Sequence, residues 1–470
     1  MIVRSTFGRL SVSSMKATTS GTSAFTGAGV FGSPTCTSFA AAGYSAKVRP
    51  VAGGPDRGSD RAANGGPAGP RLRCQVARRV GRGAALGFGL LLAGLSGLTG
   101  CADPVIVDPI PDGGARPDQG DGGSNATQVW VAAPAATAAF PAEGPAVDAR
   151  RRWKRDPHFL QDSAGTQYLF FSGSDYNKEA WTVSYFTQSS GTVSLASTWT
   201  PAIVGTVGTW YSGDITGPAT RFTQTEKTLF FAANVDPTRP EPTRPDYVFE
   251  IGRATYDGVA YRPASTPALS VPAFTGSGAS DTPTTPRPDA YGVMDPWILD
   301  DGGGQNVTMY YAGLDCATGT CKFQIFRTVS TDGGLSFPPG NVVLSGRGSN
   351  PDEAGGVAGP SVVVRNGQYI LTYTAVKTPP SRSRVAIRNA LVTGTIGVAV
   401  STDGMTFTNA SAGGQSAISR VGIYREQGCS SPSLYLDAAQ NLHSYFAGYY
   451  NGINGESYNI ATADWTLTKQ

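Results

Sequence analysis

Histidine is nearly absent from this chain. Only His158 and His443 occur in 470 residues, which argues against a zinc centre even where two cysteines stand close together. Cysteine itself is sparse, with six residues in all. A long hydrophobic run is missing too: the one extended apolar stretch, Ala84–Leu98, is short and broken by glycines, unlike a membrane-spanning helix. No long segment repeats apolar residues at i, i+3 and i+4, so a helical architecture is not expected. What remains is a chain rich in Gly, Thr, Ser and Val. Its short apolar runs are punctuated by Gly, Pro, Asn and Asp, and this predicts an all-β fold. By length alone, one to three domains are allowed.

Charge is segregated along the chain. Residues 1–100 hold twelve of the 37 basic residues and two of the 34 acidic ones, so the remaining 25 and 32 leave residues 101–470 at −7. An acidic body repels phosphate backbones, and no nucleic-acid partner is expected.

The basic end has an anatomy. Arg78, Arg79 and Arg82 precede the apolar run, which closes on Leu98-Thr99-Gly100-Cys101 followed by Ala102-Asp103-Pro104. This resembles the lipobox of bacterial lipoproteins, which implies cleavage before Cys101 and a lipid on its sulfur; an ordinary secretory signal is the alternative. Four segments follow from this reading. Residues 1–77 form a disordered or misannotated extension, since the true start of translation is expected near Val76 or Val80. Residues 78–101 are the signal peptide, residues 102–127 a flexible tether rich in Asp, Gly and Pro, and residues 128–470 the folded domain. Anchoring at the cell envelope is expected, at the outer membrane or cell surface, through the lipid alone. In that oxidising setting Cys316 and Cys321 are expected to form a disulfide across a turn-like loop, leaving Cys429 unpaired and buried.

A five-part repeat organises residues 128–470. Each part opens on an x-Pro step and a strand: Asp156-Pro157, Gly217-Pro218, Asp295-Pro296, Gly359-Pro360 and Ser431-Pro432. The prolines are 61, 78, 64 and 72 residues apart, room for four strands each. An aromatic strand follows in every part, as in Tyr168-Leu169-Phe170-Phe171 and Met309-Tyr310-Tyr311. Three parts then carry an Asp-Gly turn at Asp257, Asp332 and Asp403, which suits a tight hairpin. The aromatic after each turn (Tyr261, Phe337, Phe407) is expected to plug the gap to a neighbouring sheet. The run Val129–Ala132 is placed to complete the last unit. Repeated four-stranded units predict a five-bladed β-propeller, with two stacked β-sandwiches as the alternative.

The x-Pro residues of such a ring face one axial mouth, where Asp156 and Asp295 would present two carboxylates, the equipment of glycosidic cleavage. Here the chain resembles the five-bladed glycoside hydrolase superfamily of arabinanases, β-xylosidases and invertases. Asp156-Pro157 is similar to that group's base or nucleophile step, Thr216-Gly217-Pro218 to its second, and Met294-Asp295-Pro296 to the step whose Asp steadies the transition state. The resemblance implies a polysaccharide or oligosaccharide substrate, and a monomer is expected. The resemblance breaks at the acid, because Ala358-Gly359-Pro360 stands where the group has Glu. Glu353 and Glu426 are the candidate replacements, or else exposed loop residues. Equally, either Asp-Pro step can be a turn cap. Trp153, Asp214, Tyr211, Trp297 and Tyr424 lie near the openings as candidate sugar contacts, the aromatics alternatively as filler. The run Arg151, Arg152, Lys154 and Arg155 would meet an acidic sugar or stand solvated. No cofactor is implied, and an axial calcium ion is left open. The turns Ser330–Phe337 and Ser401–Phe407 resemble the structural Asp-boxes of sialidases, but no sialidase-like arginine cluster can be placed. Three readings stand: a polysaccharide hydrolase, a non-catalytic carbohydrate- or protein-binding domain lacking the acid, or a purely structural surface lipoprotein.

Overall fold

The computed structural model describes residues 128–136, 139, 153–174, 181–188, 200–235, 245, 247–275, 282–300, 304–317, 319–421, 425–452 and 455–469. Cys101, the signal peptide and the tether lie outside them. The described chain is almost entirely β.

Strand β1 (Gln128–Pro134) comes first. Sheet one is β2 (Trp153–Gln161), β3 (Gln167–Ser174), β4 (Thr182–Gln188) and β5 (Thr200–Ile203), in that order. Sheet two is β6 (Ile215–Phe222), β7 (Lys227–Ala233), β8 (Glu250–Tyr256) and β9 (Tyr261–Pro263). After a short pair, β10 (Phe274–Thr275) and β11 (Thr282–Pro283), sheet three is β12 (Val293–Asp300), β13 (Val307–Asp315), β14 (Lys322–Ser330) and β15 (Asn341–Ser345). Sheet four is β16 (Gly356–Arg365), β17 (Gln368–Val376), β18 (Thr395–Ser401) and β19 (Thr408–Asn409), with helix α1 (Arg384–Val392) between β17 and β18. A single parallel bridge, Phe323 to Gly356, joins sheets three and four. Sheet five is β20 (Gly428–Leu436), β21 (Leu442–Gly452) and β22 (Gly455–Lys469), and β1 supplies its fourth strand by pairing Trp130 with Leu467.

The first strands neighbour one another in sequence: β2 lies against β6, β6 against β12, β12 against β16, β16 against β20, and β20 against β2. Side chains one or two residues beyond the x-Pro steps stitch several of these joints. His158 Nε2 accepts Thr220 N–H at 3.1 Å, Trp297 Nε1 donates to Val362 O at 2.7 Å, Leu434 N–H donates to Ser361 Oγ at 2.7 Å, and Phe159 N–H donates to Ser433 Oγ at 3.0 Å.

Second strands are apolar on both faces because each sheet has a neighbour on either side. Leu169, Phe170, Phe171, Leu229, Phe230, Phe231, Met309, Tyr310, Tyr311 and Phe446 are fully buried, each worth roughly 1.5–3 kcal/mol relative to exposure. The aromatics after the Asp turns reach the preceding sheet: Tyr261 meets Phe170, Phe337 meets Phe230, and Phe407 meets Tyr310, with centroids 5.9, 5.9 and 6.1 Å apart. The turns are closed locally, as in Ser330 Oγ, which accepts Gly334 N–H at 2.9 Å, and Ser401 Oγ, which accepts Gly404 N–H at 2.9 Å.

Candidate binding site at the converging first strands

One irregularity recurs in every first strand. Pairing with the second strand slips between Arg155 and His158, Thr216 and Ala219, Met294 and Trp297, Ala358 and Ser361, and Ser430 and Ser433. In each case an x-Pro pair faces a single residue, a β-bulge. The x residue is left-handed every time, with φ of 51° at Asp156, 57° at Gly217, 50° at Asp295, 54° at Gly359 and 50° at Ser431. Glycine adopts that backbone freely, whereas Asp and Ser do so at a cost on the order of 1–3 kcal/mol. Gly217 has a second reason: a Cβ there would lie 3.0 Å from the Asp295 Cα and carboxylate. All five steps line one shared space.

The bulges bring Asp156 and Asp295 also into a second cavity, lined with them by Asp214, Arg155, Arg384 and Arg388. Asp156 accepts a hydrogen bond from Ser431 Oγ at 2.7 Å and faces Arg155 Nε at 3.1 Å. Arg155 in turn lies over the Trp181 ring at 4.3 Å. Asp214, just ahead of β6, accepts Trp181 N–H at 3.3 Å and pairs with Arg384 Nη1 at 3.4 Å. Burial and the nearby Asp156 charge push the Asp295 carboxyl up, against the opposing pull of Arg155 and of the Gly359 N–H it accepts. Two carboxyls in one cavity with one shifted toward its neutral form is an arrangement that can offer and accept protons. It can equally hydrogen-bond hydroxyl groups.

α1 supplies the opposite wall. Arg384, Ile387, Arg388 and Leu391 all line the cavity, the i, i+3, i+4, i+7 set of one helical face. Sequence reasoning found no arginine cluster because these arginines lie more than 220 positions from Asp156. The helix that carries them is braced from behind: Arg382 donates to Cys316 O, and Cys321 N–H donates to Pro380 O at 2.9 Å. Cys316 and Cys321 are disulfide-bonded, and Cys429 is free and buried.

The remaining candidates lie elsewhere. Glu353 is buried but outside the cavity, held by Arg347 Nη2 at 2.6 Å, Arg347 N–H at 2.8 Å and Tyr373 Oη at 2.9 Å. Glu426 is exposed and does not line the cavity. Among the described residues, then, no glutamate lines it. Trp153 is buried against Tyr458 and Trp181, with centroids 5.4 and 6.5 Å away, and lines neither space. Trp297 lines the shared space from a buried position beside His158, whose ring burial holds neutral, pulled down to about 3. Tyr211 packs on Phe231 at 6.3 Å. Tyr424, Arg151 and Arg152 lie outside the described residues. Lys154 and Arg155 are buried, so that part of the charge run is not solvated. As for calcium, the five ring positions offer two carboxylates, one already paired with Arg155, and no group of three or more metal-ligating residues occurs among the described residues.

No family model matches the sequence, and no curated protein is significantly similar to it. Solved structures resemble it at low identity. An α-L-arabinofuranosidase from Lactobacillus brevis is similar at 14% identity and a TM-score of 0.47, over 67% of this chain and 90% of that one. For a thermostable family-43 glycoside hydrolase the values are 14%, 0.44, 67% and 89%. For an endo-arabinase from Bacteroides thetaiotaomicron they are 12%, 0.43, 71% and 97%. Likeness at this level settles neither family nor activity.

Proposed function

We propose that the chain is a five-bladed β-propeller whose mouth binds a saccharide. The observation that carries this reading is one cavity in which the bulged Asp156 and Asp295 meet Asp214, Arg155 and the α1 arginines Arg384 and Arg388. First strands that neighbour one another in a cycle support the propeller. Carboxylates and guanidiniums beside the apolar Phe249, Met294, Ile387 and Leu391 suit a ligand that is hydroxylated on its edges and apolar on its faces. Binding is favoured over hydrolysis because no described glutamate reaches the cavity to serve as the acid.

A second reading is favoured by one specific observation. Asp295 is pushed toward its protonated form beside Asp156, so Asp295 as acid and Asp156 as base would constitute a two-carboxylate hydrolase of arabinan, xylan or fructan type. Calorimetry and reducing-sugar release on one panel of these oligosaccharides separate the readings. Binding without release supports the first, release abolished in Asp156→Ala supports the second, and neither binding nor release defeats both.

From the lipobox-like Leu98-Thr99-Gly100-Cys101 we further propose a monomer tethered to the cell envelope by a lipid on Cys101. Wild type in the membrane fraction and Cys101→Ser in the soluble fraction is the expected outcome; equal partitioning would refute the anchor.

A further inference from the structure

We propose that the mouth selects an acidic saccharide, seating its carboxylate on Arg388. This rests on the saccharide-binding reading above and narrows it to a chemical class. Arg155 faces Asp156 at 3.1 Å and Arg384 faces Asp214 at 3.4 Å. Arg388, on the same face of α1 as Arg384, has no carboxylate within ion-pair distance among the described residues, and its buried Nη1 makes no hydrogen bond. The third aspartate of the cavity does not make up the difference: Asp295 is pushed toward its neutral form by burial and by Asp156. Burial and the neighbouring charge of Arg155 bear on Arg388 in the opposite sense, pulling its pKa down against Asp214 and Tyr458. Arg388 is thus the cavity arginine that, among the described residues, keeps no ion-pair partner and a buried N–H without an acceptor.

A carboxylate meets that need best. Two parallel N–H···O bonds fit the planar fork of a guanidinium, and the charge is matched without importing a proton. Ile387 and Leu391, which line the cavity alongside Arg388, give the sugar ring an apolar surface.

The test uses the intact protein and oligouronates of galacturonan, glucuronan and alginate type, each with its methyl ester, plus a sulfated galactan oligosaccharide and neutral arabinan and xylan oligosaccharides. At least one oligouronate is expected to bind about 10- to 100-fold more tightly than its own ester, the worth of hydrogen bonds to a charged partner. Arg388→Gln should bring acid and ester to parity, and Arg388→Lys should restore part of the gap. The acid–ester comparison in wild type needs no variant, so a misfolded mutant does not blunt it. Equal affinity for acid and ester, or a gap that survives in Arg388→Gln, overturns the inference while leaving saccharide binding intact. Tighter binding of the sulfated oligosaccharide overturns the carboxylate assignment. Binding of the neutral oligosaccharides alone overturns the inference, and binding of none overturns the parent reading as well.

Discussion

Glu353→Gln is expected to damage the fold and not the chemistry. The Glu353 side chain is 2% exposed, and its two oxygens collect Arg347 N–H, the Arg347 guanidinium, Asn350 Nδ2 at 3.1 Å and Tyr373 Oη. Burial pushes this carboxyl up, but the hydrogen bonds from Arg347 and Tyr373 outweigh it, so the group lies below its ordinary range. Replacing one oxygen by an amide removes the charge and turns a donor toward a donor. Losing one side of a buried, hydrogen-bonded pair costs about 3–5 kcal/mol. Arg347 is 29% exposed and can rehydrate, so about 2–4 kcal/mol is expected, or a fall in Tm of about 3–6 °C. The pH dependence has a definite sign. A carboxyl with a depressed folded pKa contributes stability that is present above its unfolded value, near 4.3, and is lost as pH falls through the folded value. The gap between wild type and Glu353→Gln should therefore be full at pH 7 and begin to narrow as pH falls through about 4.3, the unfolded value. Calorimetric melting at both values measures it. A variant as stable as wild type at pH 7, but unable to release sugar, would refute this account and restore Glu353 as an acid.

Asp295 should behave in the opposite way. Its raised pKa means that holding it ionised costs stability above the unfolded carboxylate range and nothing below it, so Asp295→Asn should raise Tm at pH 8 and leave it unchanged near pH 3; a variant less stable at pH 8 would contradict the burial argument. Gly217→Ala combines a left-handed alanine with a methyl 3.0 Å from Asp295 and should lose about 1–3 kcal/mol. Gly367→Ala, left-handed with nothing within 4 Å, controls for backbone strain, and equal losses would deny the crowding. Replacing Cys316 and Cys321 with Ser should cost about 2 kcal/mol and weaken saccharide binding several-fold through the brace on α1. Unchanged affinity would show that the loop does not position the helix.

The repeat was legible in the sequence because its signals are local. An x-Pro step, an aromatic run and an Asp-Gly turn are each set by a few adjacent residues, and all five x-Pro steps occupy the same bulge. The left-handed backbone was foreshadowed by Gly217 and Gly359, but nothing local required it of Asp156, Asp295 or Ser431. The arginine wall was not legible. α1 is nine residues long, too short for a periodicity signal, and its arginines meet Asp156 and Asp214 only when sheet four comes round to sheets one and two. Glu353 misled for a similar reason: its distance from the opening of β16 suggested the mouth, while its partner Arg347, six residues upstream, holds it elsewhere.

The central claim is that a saccharide sits between the aspartates of the bulge ring and the arginines of α1. A crystal structure of the protein soaked with the tightest-binding oligosaccharide of the panel tests it most directly. The account predicts a sugar ring in the cavity between Asp156, Asp214 and α1, its hydroxyls on Asp156 and Asp214 and an anionic group on Arg388. A ligand bound on the outer strands, or an empty mouth at saturating sugar, would contradict it.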